Sequence, residues 1–278
     1  MLADFYQRTL ERGDKNKKCE GRAFYMILRR LGNKQGIADK IQTYFPAHKI
    51  YIEPFFGAGG MFFNKRKAKY NIVNDIDSNV FNLFNVVMNN KSELLEAFEI
   101  MPIHQDLHEY WKQTEETDPI KKALRFIFLS NFSFLGTGNS LNFCIEKPKQ
   151  IVKNNIDKVF EKLQDVMFMN CDFREMQKNL NKFELHKQDY FWYADPPYLN
   201  TLNNYSNSFT EKDAFDLFEM LDNTGCKFAI SEFDNDFVMN QAKERKLNII
   251  YIGERTNLKN KRTEILITNY ENVPTLFS

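Results

Sequence analysis

The sequence contains little cysteine, and its four cysteines lie far apart along 278 residues. This scatter excludes the dense disulfide framework of a small secreted domain, and it lacks the close spacing that is typical of zinc ligands. We therefore expect free thiols and a reducing compartment. His104 and His108 could share a helix face, but Pro102 precedes them and no acid-helix signature surrounds them, so we predict no metal site.

Long apolar runs and a large net charge are also lacking. No stretch approaches the ~20 apolar residues that cross a membrane, and no signal-like segment follows Met1, so we expect a soluble cytoplasmic protein. The formal net charge of +1 neither supports nor excludes nucleic acid, since a near-neutral total can include a basic face. A chain of 278 residues that is 43% hydrophobic can form one large α/β domain or a domain with an insert.

The most informative stretch runs from Tyr190 to Tyr198 and has the sequence YFWYADPPY. Its five leading apolar residues predict a strand buried on both faces, as in the centre of a parallel sheet. The two prolines end the strand rigidly and remove two backbone donors. Asp195 and nearby carbonyls then form a cluster of acceptors beside the Tyr198 ring, which suits a planar group that donates hydrogen bonds. The alternative is an ordinary Pro-Pro turn, with Tyr198 as surface packing.

A second stretch, residues 49–63, has the sequence KIYIEPFFGAGGMFF. A short strand leads into a glycine-rich bend and then into an apolar segment that could begin a helix with free N–H groups. Another strand, residues 70–77, ends in acids about 18 residues beyond the glycines, where an acid can bind ribose hydroxyls. In this order the features predict a nucleoside-containing cofactor in a Rossmann-like sheet, although a glycine-rich bend alone could only join strand to helix.

The alternation of strands and helices is interrupted in the middle of the chain. Residues 79–100 predict one helix, with Phe81 and Phe84 on one face. Between residues 91 and 164 the strand signals disappear, and helical patterns are joined by a loop of small, polar and aromatic residues followed by lysines. This region predicts an inserted, mainly helical subdomain. Its composition suits phosphates and base edges, but it is also ordinary loop composition.

Strand and helix signals then resume. The predicted elements are a helix at 36–45, a strand at 166–173, a helix at 211–221, a strand at 227–231, a helix at 236–245, and strands at 249–252 and 264–268. The prediction is therefore an α/β catalytic domain formed by residues 1–90 and 165–278, with an insert at 91–164. Because carboxyl ends of parallel strands meet at one edge, we expect the glycine bend and Asp195 to share a cavity there.

The two informative stretches together resemble the motifs of one enzyme family. With Glu53-Pro-Phe-Phe-Gly-Ala-Gly-Gly upstream and Asp195-Pro-Pro-Tyr198 downstream, the sequence resembles the Dam-like (D12 class, α-group) N6-adenine DNA methyltransferases over nearly its whole length. The parts follow the family's order: a GxK turn, an FxGxG-type loop, Asn-Asp-Ile-Asp, an insert, Asp-Phe, and Asp-Pro-Pro-Tyr. The later segments Tyr205–Thr210 and Lys261–Asn269 also look like the family's carboxyl half.

The resemblance implies a fold, a cofactor and a set of site residues. The fold is the Rossmann-like sheet of methyltransferases that depend on S-adenosylmethionine (AdoMet), with helices on both faces and a target-recognition insert. The residues implied for AdoMet are Arg30, Lys34, Glu53, Phe55, Gly57, Gly59, Asp75, Ile76, Asp172, Phe173 and Asp195. Among them, the glycines allow close backbone approach, Asp75 binds the ribose, and Asp172 and Phe173 hold the cofactor adenine.

The same resemblance implies a flipped adenine in double-stranded DNA as the methyl acceptor. The acceptor residues are Asp195, Pro196, Pro197 and Tyr198, and the predicted DNA contacts are Asn131, Ser133, Asn139, Lys147, Lys149 and Tyr205. We expect a monomer that forms no physical complex with a cognate restriction endonuclease, where one exists. No metal is implied.

The sequence departs from the family pattern at two places. Arg30 stands where the family often has an aromatic residue four positions before the turn lysine, so its role is open. In the insert, Asn131-Phe132 is followed by Ser-Phe-Leu-Gly-Thr-Gly rather than by the continuation that is usual among readers of GATC. The recognition sequence is therefore not assumed to be GATC.

Other functions share some of these features. N4-cytosine methylation usually has Ser in place of the first Asp of the motif, and glutamine methylation usually has Asn, so Asp195 argues against both. A nicotinamide-dependent dehydrogenase would share the glycine bend and Asp75, but not the Asp-Pro-Pro-Tyr motif. A DNA-binding module that has lost catalysis is a further alternative, which the intact acidic and glycine positions disfavour.

Overall fold

The computed structural model describes residues 27–29, 32–133, 138–141, 148–180, 186–199, 209–256 and 261–271. Its strands form one sheet of seven in the order β3-β2-β1-β4-β5-β7-β6. Their bounds are β1 (Ile50–Glu53), β2 (Tyr70–Asn74), β3 (Val166–Met169), β4 (Tyr190–Ala194), β5 (Lys227–Phe233), β6 (Asn248–Thr256) and β7 (Lys261–Thr268). Strands β1 to β5 are parallel, and β7 is antiparallel to both β5 and β6. The predicted Rossmann-like sheet is confirmed.

Helices cover both faces of this sheet. In the described residues they are α1 (Ala38–Gln42), α2 (Ser78–Asn89), α3 (Lys91–Ile100), α4 (Gln105–Gln113), α5 (Pro119–Asn131), α6 (Pro148–Leu163), α7 (Phe173–Leu180), α8 (Glu211–Thr224) and α9 (Asp236–Glu244). Helices α1 to α6 pack in one hydrophobic core and α7 to α9 in the other. None of the helices within these ranges is long and apolar enough to cross a membrane.

The strands reach both cores because successive side chains point to opposite faces. In β4, Phe191 and Tyr193 lie in the first core, whereas Trp192 and Ala194 lie in the second. The whole strand is consequently buried, as its run of aromatic residues predicts. This arrangement places Asp195, which follows directly, at the carboxyl edge of the sheet.

Two predicted helices differ from those in the structure. The helix expected over residues 79–100 is divided into α2 and α3 at Asn90, where φ is −134° and ψ is 36°, outside the helical region. The helix expected over residues 36–45 is reduced to a 3₁₀ turn at Lys34–Gly36 and the five residues of α1. Apolar periodicity alone did not reveal either break, because it continues across both.

The helices of the predicted insert do not form a core of their own among the described residues. Phe98 of α3, Phe128 of α5 and Ile156 of α6 are buried in the same cluster as Tyr51 and Phe191 of the sheet. These helices therefore share the hydrophobic core on one face of the sheet. The role of residues 91–164 in target recognition stays a prediction.

Candidate active site

The chain changes direction across the sheet between β1 and β4. Strands β2 and β3 extend to one side of β1, and β5 lies beyond β4 on the other. Loops that leave such a position separate, so a crevice forms outside the carboxyl ends of the two strands. A cavity of about 240 Å³ occurs there, and both Gly57 and Asp195 line it. The expectation that these two residues share one cavity is confirmed.

The glycine-rich loop after β1 forms the floor of the cavity. Gly57 has φ of +53°, and a Cβ added to it would meet no atom within 4 Å, so the loop leaves open space there. Gly59 has φ of +70°, but a Cβ there would collide with the Phe63 ring, and Gly59 does not line the cavity. Both its positive φ and its packing against Phe63 therefore require glycine. The helix expected after this loop is only a 3₁₀ turn, Phe62–Asn64.

Asn74, at the end of β2, connects the loops around the cavity. Its side-chain amide donates to the carbonyls of Pro54 and Cys171, each at 3.0 Å, and its Oδ1 accepts from the Cys171 N–H at 3.0 Å. The residue is 1% exposed. Asn74 therefore joins the ends of β1, β2 and β3. Sequence reasoning did not select it, although an amide at the end of an apolar strand is a signal of such a role.

Asp75 follows and shapes the next part of the wall. Its Oδ2 accepts from the Gly57 N–H at 2.7 Å, and its Oδ1 accepts from the Asp77 N–H at 2.9 Å. Each carboxylate oxygen has two lone pairs, so Asp75 can also accept from hydroxyl groups of a ligand. Beside it, Ile76 lines the cavity while 54% exposed, which leaves an apolar side chain for a ligand to cover.

The far end of the cavity is aromatic. The Phe55 ring lies 5.3 Å from Phe173 and 5.9 Å from Phe209, measured between centroids, and all three residues line the cavity. Such a wall suits a flat heterocycle. The structure thus brings the predicted residues Phe55 and Phe173 together.

Arg174 connects this end of the cavity to α8, and sequence reasoning missed it. Its guanidinium contacts Asp172 at 3.1 Å, Asp213 at 2.5 Å and Asp216 at 2.8 Å. It also lies over the Phe173 ring, 4.4 Å from the centroid. The Asp172 carboxylate accepts from the Arg174 backbone N–H as well, at 2.9 Å. Arg174 therefore fixes the predicted adenine-binding residues against the start of α8.

The other end of the cavity is an acceptor corner formed by Lys34, Asp195, Tyr198 and Glu264. The Lys34 ammonium lies 2.9 Å from Asp195 Oδ1 and 3.2 Å from Glu264 Oε1, and it donates to the Tyr198 hydroxyl. Tyr198 in turn donates to Glu264 Oε1 at 2.5 Å. The Lys34 side chain is 2% exposed, whereas Asp195 is 20% exposed toward the cavity. Pro196 is buried, and Pro197 lines the cavity.

Two further carboxyl groups lie buried around this corner. Burial raises the pKa of Glu53 well above its usual value, and the Tyr51 hydroxyl donates to it at 2.8 Å. Burial also raises the pKa of Glu232 to about 8, even though Glu232 accepts from the backbone N–H groups of Phe233 and Leu199. Burial therefore favours the neutral form of both groups, and Glu232 is mainly protonated at neutral pH.

Acidic side chains outnumber basic ones around the cavity. Its acidic lining consists of Asp75, Asp77, Asp172, Asp195 and Asp213, besides the buried Glu53, whereas its basic lining consists of Lys34 and Arg174. This excess favours a cationic ligand and disfavours a pyrophosphate. The short 3₁₀ turn after the glycine loop also lacks the long helix whose N-terminus binds a dinucleotide's phosphates. The dehydrogenase alternative loses support on both grounds.

Some of the predicted DNA contacts are buried in the structure, and others are exposed. Asn131 and Ser133 are 5% and 4% exposed, so neither side chain reaches the surface in this conformation. Asn131 instead donates to the carbonyls of Ile27 and Ile127, and its burial argues against a direct DNA contact. Lys149 donates to the carbonyls of Glu99 and Met101, at the end of α3.

Of the remaining predicted residues, Asn139 is exposed. Arg30, Lys147 and Tyr205 lie outside the described residues. His108 is buried with Nε2 3.3 Å from Ser133 Oγ. Within the described ranges, no group of three or more His, Cys, Asp or Glu side chains is arranged to hold a metal ion.

A doubly wound sheet, an acidic cavity at its switch point and an acceptor corner beside it together define an enzyme that binds a nucleoside-containing cofactor. The model of the D12 class N6 adenine-specific DNA methyltransferases matches residues 31–265. The chain therefore belongs to that family, and the resemblance drawn from its motifs is confirmed.

Similar proteins include several adenine methylases. The chain is 30% identical over 187 residues to the DNA adenine methylase of Haemophilus influenzae, a match covering 62% of this chain and 63% of that enzyme. It is 24% identical to the type II methyltransferase M1.LlaDCHI of Lactococcus lactis subsp. cremoris, over 87% of this chain and 94% of the relative. The DNA adenine methylase of Vibrio cholerae is 24% identical, over 81% of this chain and 87% of the relative.

Proposed function

We propose that this protein transfers the methyl group of AdoMet to N6 of an adenine flipped out of double-stranded DNA. The observation that carries the proposal is that Asp195 belongs to both the cofactor-sized cavity and the acceptor corner. A donor and an amine bound in these two places meet at the Asp195 carboxylate. Family membership gives the class of reaction, and the geometry supports the roles of individual residues.

The cavity fits AdoMet in charge and in shape. Its surplus of carboxylates suits a ligand with a sulfonium and an ammonium group, and the open side of Gly57 allows close approach. Asp75 is placed to accept from ribose hydroxyls, and the aromatic wall of Phe55 and Phe173 to cover the adenine ring. Glu53, Lys34 and Ile76 complete the lining. When bound, the cofactor supplies an electrophilic methyl group.

The chain's own contribution at the acceptor is to position a weak nucleophile. The N6 lone pair of adenine is delocalised into the ring, so N6 needs hydrogen bonds that favour a tetrahedral nitrogen. In the proposal the Asp195 carboxylate and the Pro196 carbonyl accept the two N6 hydrogens and orient the lone pair. A base with a keto oxygen there would leave these acceptors unpaired, at a cost of about 1–3 kcal/mol.

The target base must leave the duplex before it can reach this corner. Extrusion costs on the order of a few kcal/mol, and stacking on Tyr198 can return about 1–3 kcal/mol. Tyr198 is held for this role from two sides: its hydroxyl contacts Lys34 and Glu264, and its ring packs edge-on against Phe233 at 4.5 Å. A fixed ring loses little further freedom when a base stacks on it.

The decisive test is transfer of label from radiolabelled AdoMet to duplex DNA, followed by hydrolysis and separation of the methylated bases. We expect N6-methyladenine from the wild type, and loss of at least about 10³-fold in kcat from Asp195→Ala with much of the DNA binding retained. Label in cytosine, or near-normal turnover of Asp195→Ala, would contradict the proposal. With 2-aminopurine at the target position, Tyr198→Ala should change the fluorescence on binding; an unchanged signal argues against stacking.

The proposal also covers how the protein contacts the DNA around the target base and where it acts. Residues 91–164 are proposed to contact the bases and phosphates that flank the target, with Asn139 and Lys147 as candidates and Tyr205 from outside the insert. The protein is expected to act as a monomer in the cytoplasm, with a cognate endonuclease, where one exists, working separately. Methylation-sensitive long-read sequencing of DNA from cells that express the protein would identify both base and motif, and a GATC motif is not assumed.

A further inference from the structure

Glu264 is a buried carboxylate that lies outside the sequence motif of the acceptor corner. It stands in β7, opposite Phe233 of β5, and it is 0% exposed. Because β7 is antiparallel to β5, this residue near the start of β7 comes to the carboxyl edge of the sheet. There its Oε1 lies 3.2 Å from Lys34 Nζ and accepts from the Tyr198 hydroxyl at 2.5 Å.

The Lys34 ammonium has three hydrogens, and three acceptors surround it. They are Asp195 Oδ1, Glu264 Oε1 and the Tyr198 hydroxyl. Lys34 and Glu264 are almost fully buried, and a buried charge must be paired to be tolerated. One lysine is thus shared between two carboxylates, of which only Asp195 is exposed to the cavity.

Sharing the lysine matters because Asp195 must act as a hydrogen-bond acceptor. If Lys34 paired with Asp195 alone, its full positive charge would compete with a substrate amine for that carboxylate. A second carboxylate on the opposite side of the ammonium divides this attraction.

We propose that Glu264 is a positioning residue for methyl transfer: it holds Lys34 so that Asp195 remains an acceptor for the target amine. This inference rests on the proposed function, since it presumes that an amine is delivered to Asp195. Glu264 itself does not touch the reacting atoms. Its effect is exerted through Lys34, and this gives the proposal a distinctive test.

The test compares Glu264→Gln with wild type at saturating AdoMet and DNA. We expect kcat to fall on the order of 10²-fold, the loss typical of a misplaced catalytic group, while the Kd for AdoMet from calorimetry changes by less than about threefold. Glu264→Asp keeps the charge but retracts it by one methylene, so we expect a smaller fall of about fivefold. The control is Glu244→Gln, the same change at an exposed carboxylate at the end of α9 that does not line the cavity; its kcat should stay within about twofold.

A double-mutant cycle separates positioning from general structural damage. If Glu264 acts through Lys34, then Glu264→Gln should lower kcat by less than about threefold when added to Lys34→Met. Additive losses in the cycle, or kcat within threefold of wild type in folded Glu264→Gln, would overturn the proposal. Should that variant fail to fold, wild-type kcat in Glu264→Asp overturns it instead. Failure of the proposed function is distinguishable, since the wild type itself would then yield no N6-methyladenine.

Discussion

The two ends of the cavity are held together by different kinds of interaction. At the cofactor end, Asn74 and Asp75 bind backbone N–H and C=O groups of neighbouring loops. At the acceptor end, the buried side chains of Lys34 and Glu264 form a cluster of charges with the partly exposed Asp195, and the three come from distant segments. The first arrangement fixes the shape of the loops. It does not neutralise the excess negative charge of the cavity, which a cationic ligand can balance. The second fixes charge, so the protonation and placement of single side chains decide whether the corner works.

Breaking the cofactor end should have the largest effect on stability. Asn74→Ala removes three hydrogen bonds to backbone groups of Pro54 and Cys171 and a fourth from the Cys171 thiol, so we expect a loss of about 4 kcal/mol in unfolding free energy. The Kd for AdoMet should rise at least about tenfold, since three loops are released. Urea unfolding and calorimetry measure the two effects. Asn89→Ala, at an exposed position in α2, is the control and should change neither.

At the acceptor end, the raised pKa of Glu232 should make the free energy of unfolding depend on pH. An acid whose pKa is higher in the folded than in the unfolded chain imposes no penalty below about pH 4.5, and an increasing penalty as pH rises toward about 8. Wild type should therefore lose stability over this range relative to Glu232→Gln, by roughly 3 kcal/mol. Unfolding free energies at pH 5 and pH 8 give the difference; a variant that loses as much stability as wild type would contradict the assigned pKa.

A single added methyl group should disturb the contact between the glycine-rich loop and the turn that carries Lys34. A Cβ at Gly60 would collide with Asn33 Oδ1, which caps the turn that carries Lys34. Gly60→Ala should therefore cost about 1–2 kcal/mol of stability and lower kcat by moving Lys34. Gly36→Ala is the matched control because a Cβ there meets no atom within 4 Å. Equal kcat values and melting temperatures for the two variants would show that the turn and the glycine loop are not coupled.

The smallest expected effect is on the aromatic end. Arg174→Met removes partly exposed ion pairs to Asp172, Asp213 and Asp216, so stability should change by less than about 1 kcal/mol. The Kd for AdoMet should still rise about three- to tenfold, since Asp172 and Phe173 lose their connection to α8. Lys212→Met removes another partner of Asp216 away from the cavity and should leave the Kd unchanged. If Lys212→Met raised the Kd for AdoMet as much as Arg174→Met does, the role of Arg174 in holding the aromatic end would be rejected.

The sequence predicted those parts of the site that are local in the chain. The apolar run of β4 and the prolines after it place Asp195 at a strand end, and the glycines place Gly57 in a loop beside it. By contrast, the roles of Glu264 and Arg174 depend on contacts between segments far apart in sequence, which no local pattern records. The same limitation applies to Asn131. A polar residue in a loop-like region suggested a DNA contact, whereas its side-chain amide donates hydrogen bonds to two backbone carbonyls inside the core.

The reversed direction of β7 has a consequence for how the enzyme can vary. The end of β6 and the start of β7 both lie at the edge where the target base is proposed to enter. Exposed side chains of this hairpin, such as Glu254, can therefore change the surface presented to the duplex without altering the strand register that positions Glu264. In related proteins, selectivity for neighbouring bases can then diverge while the reacting groups keep their positions, although the same hairpin contributes to both.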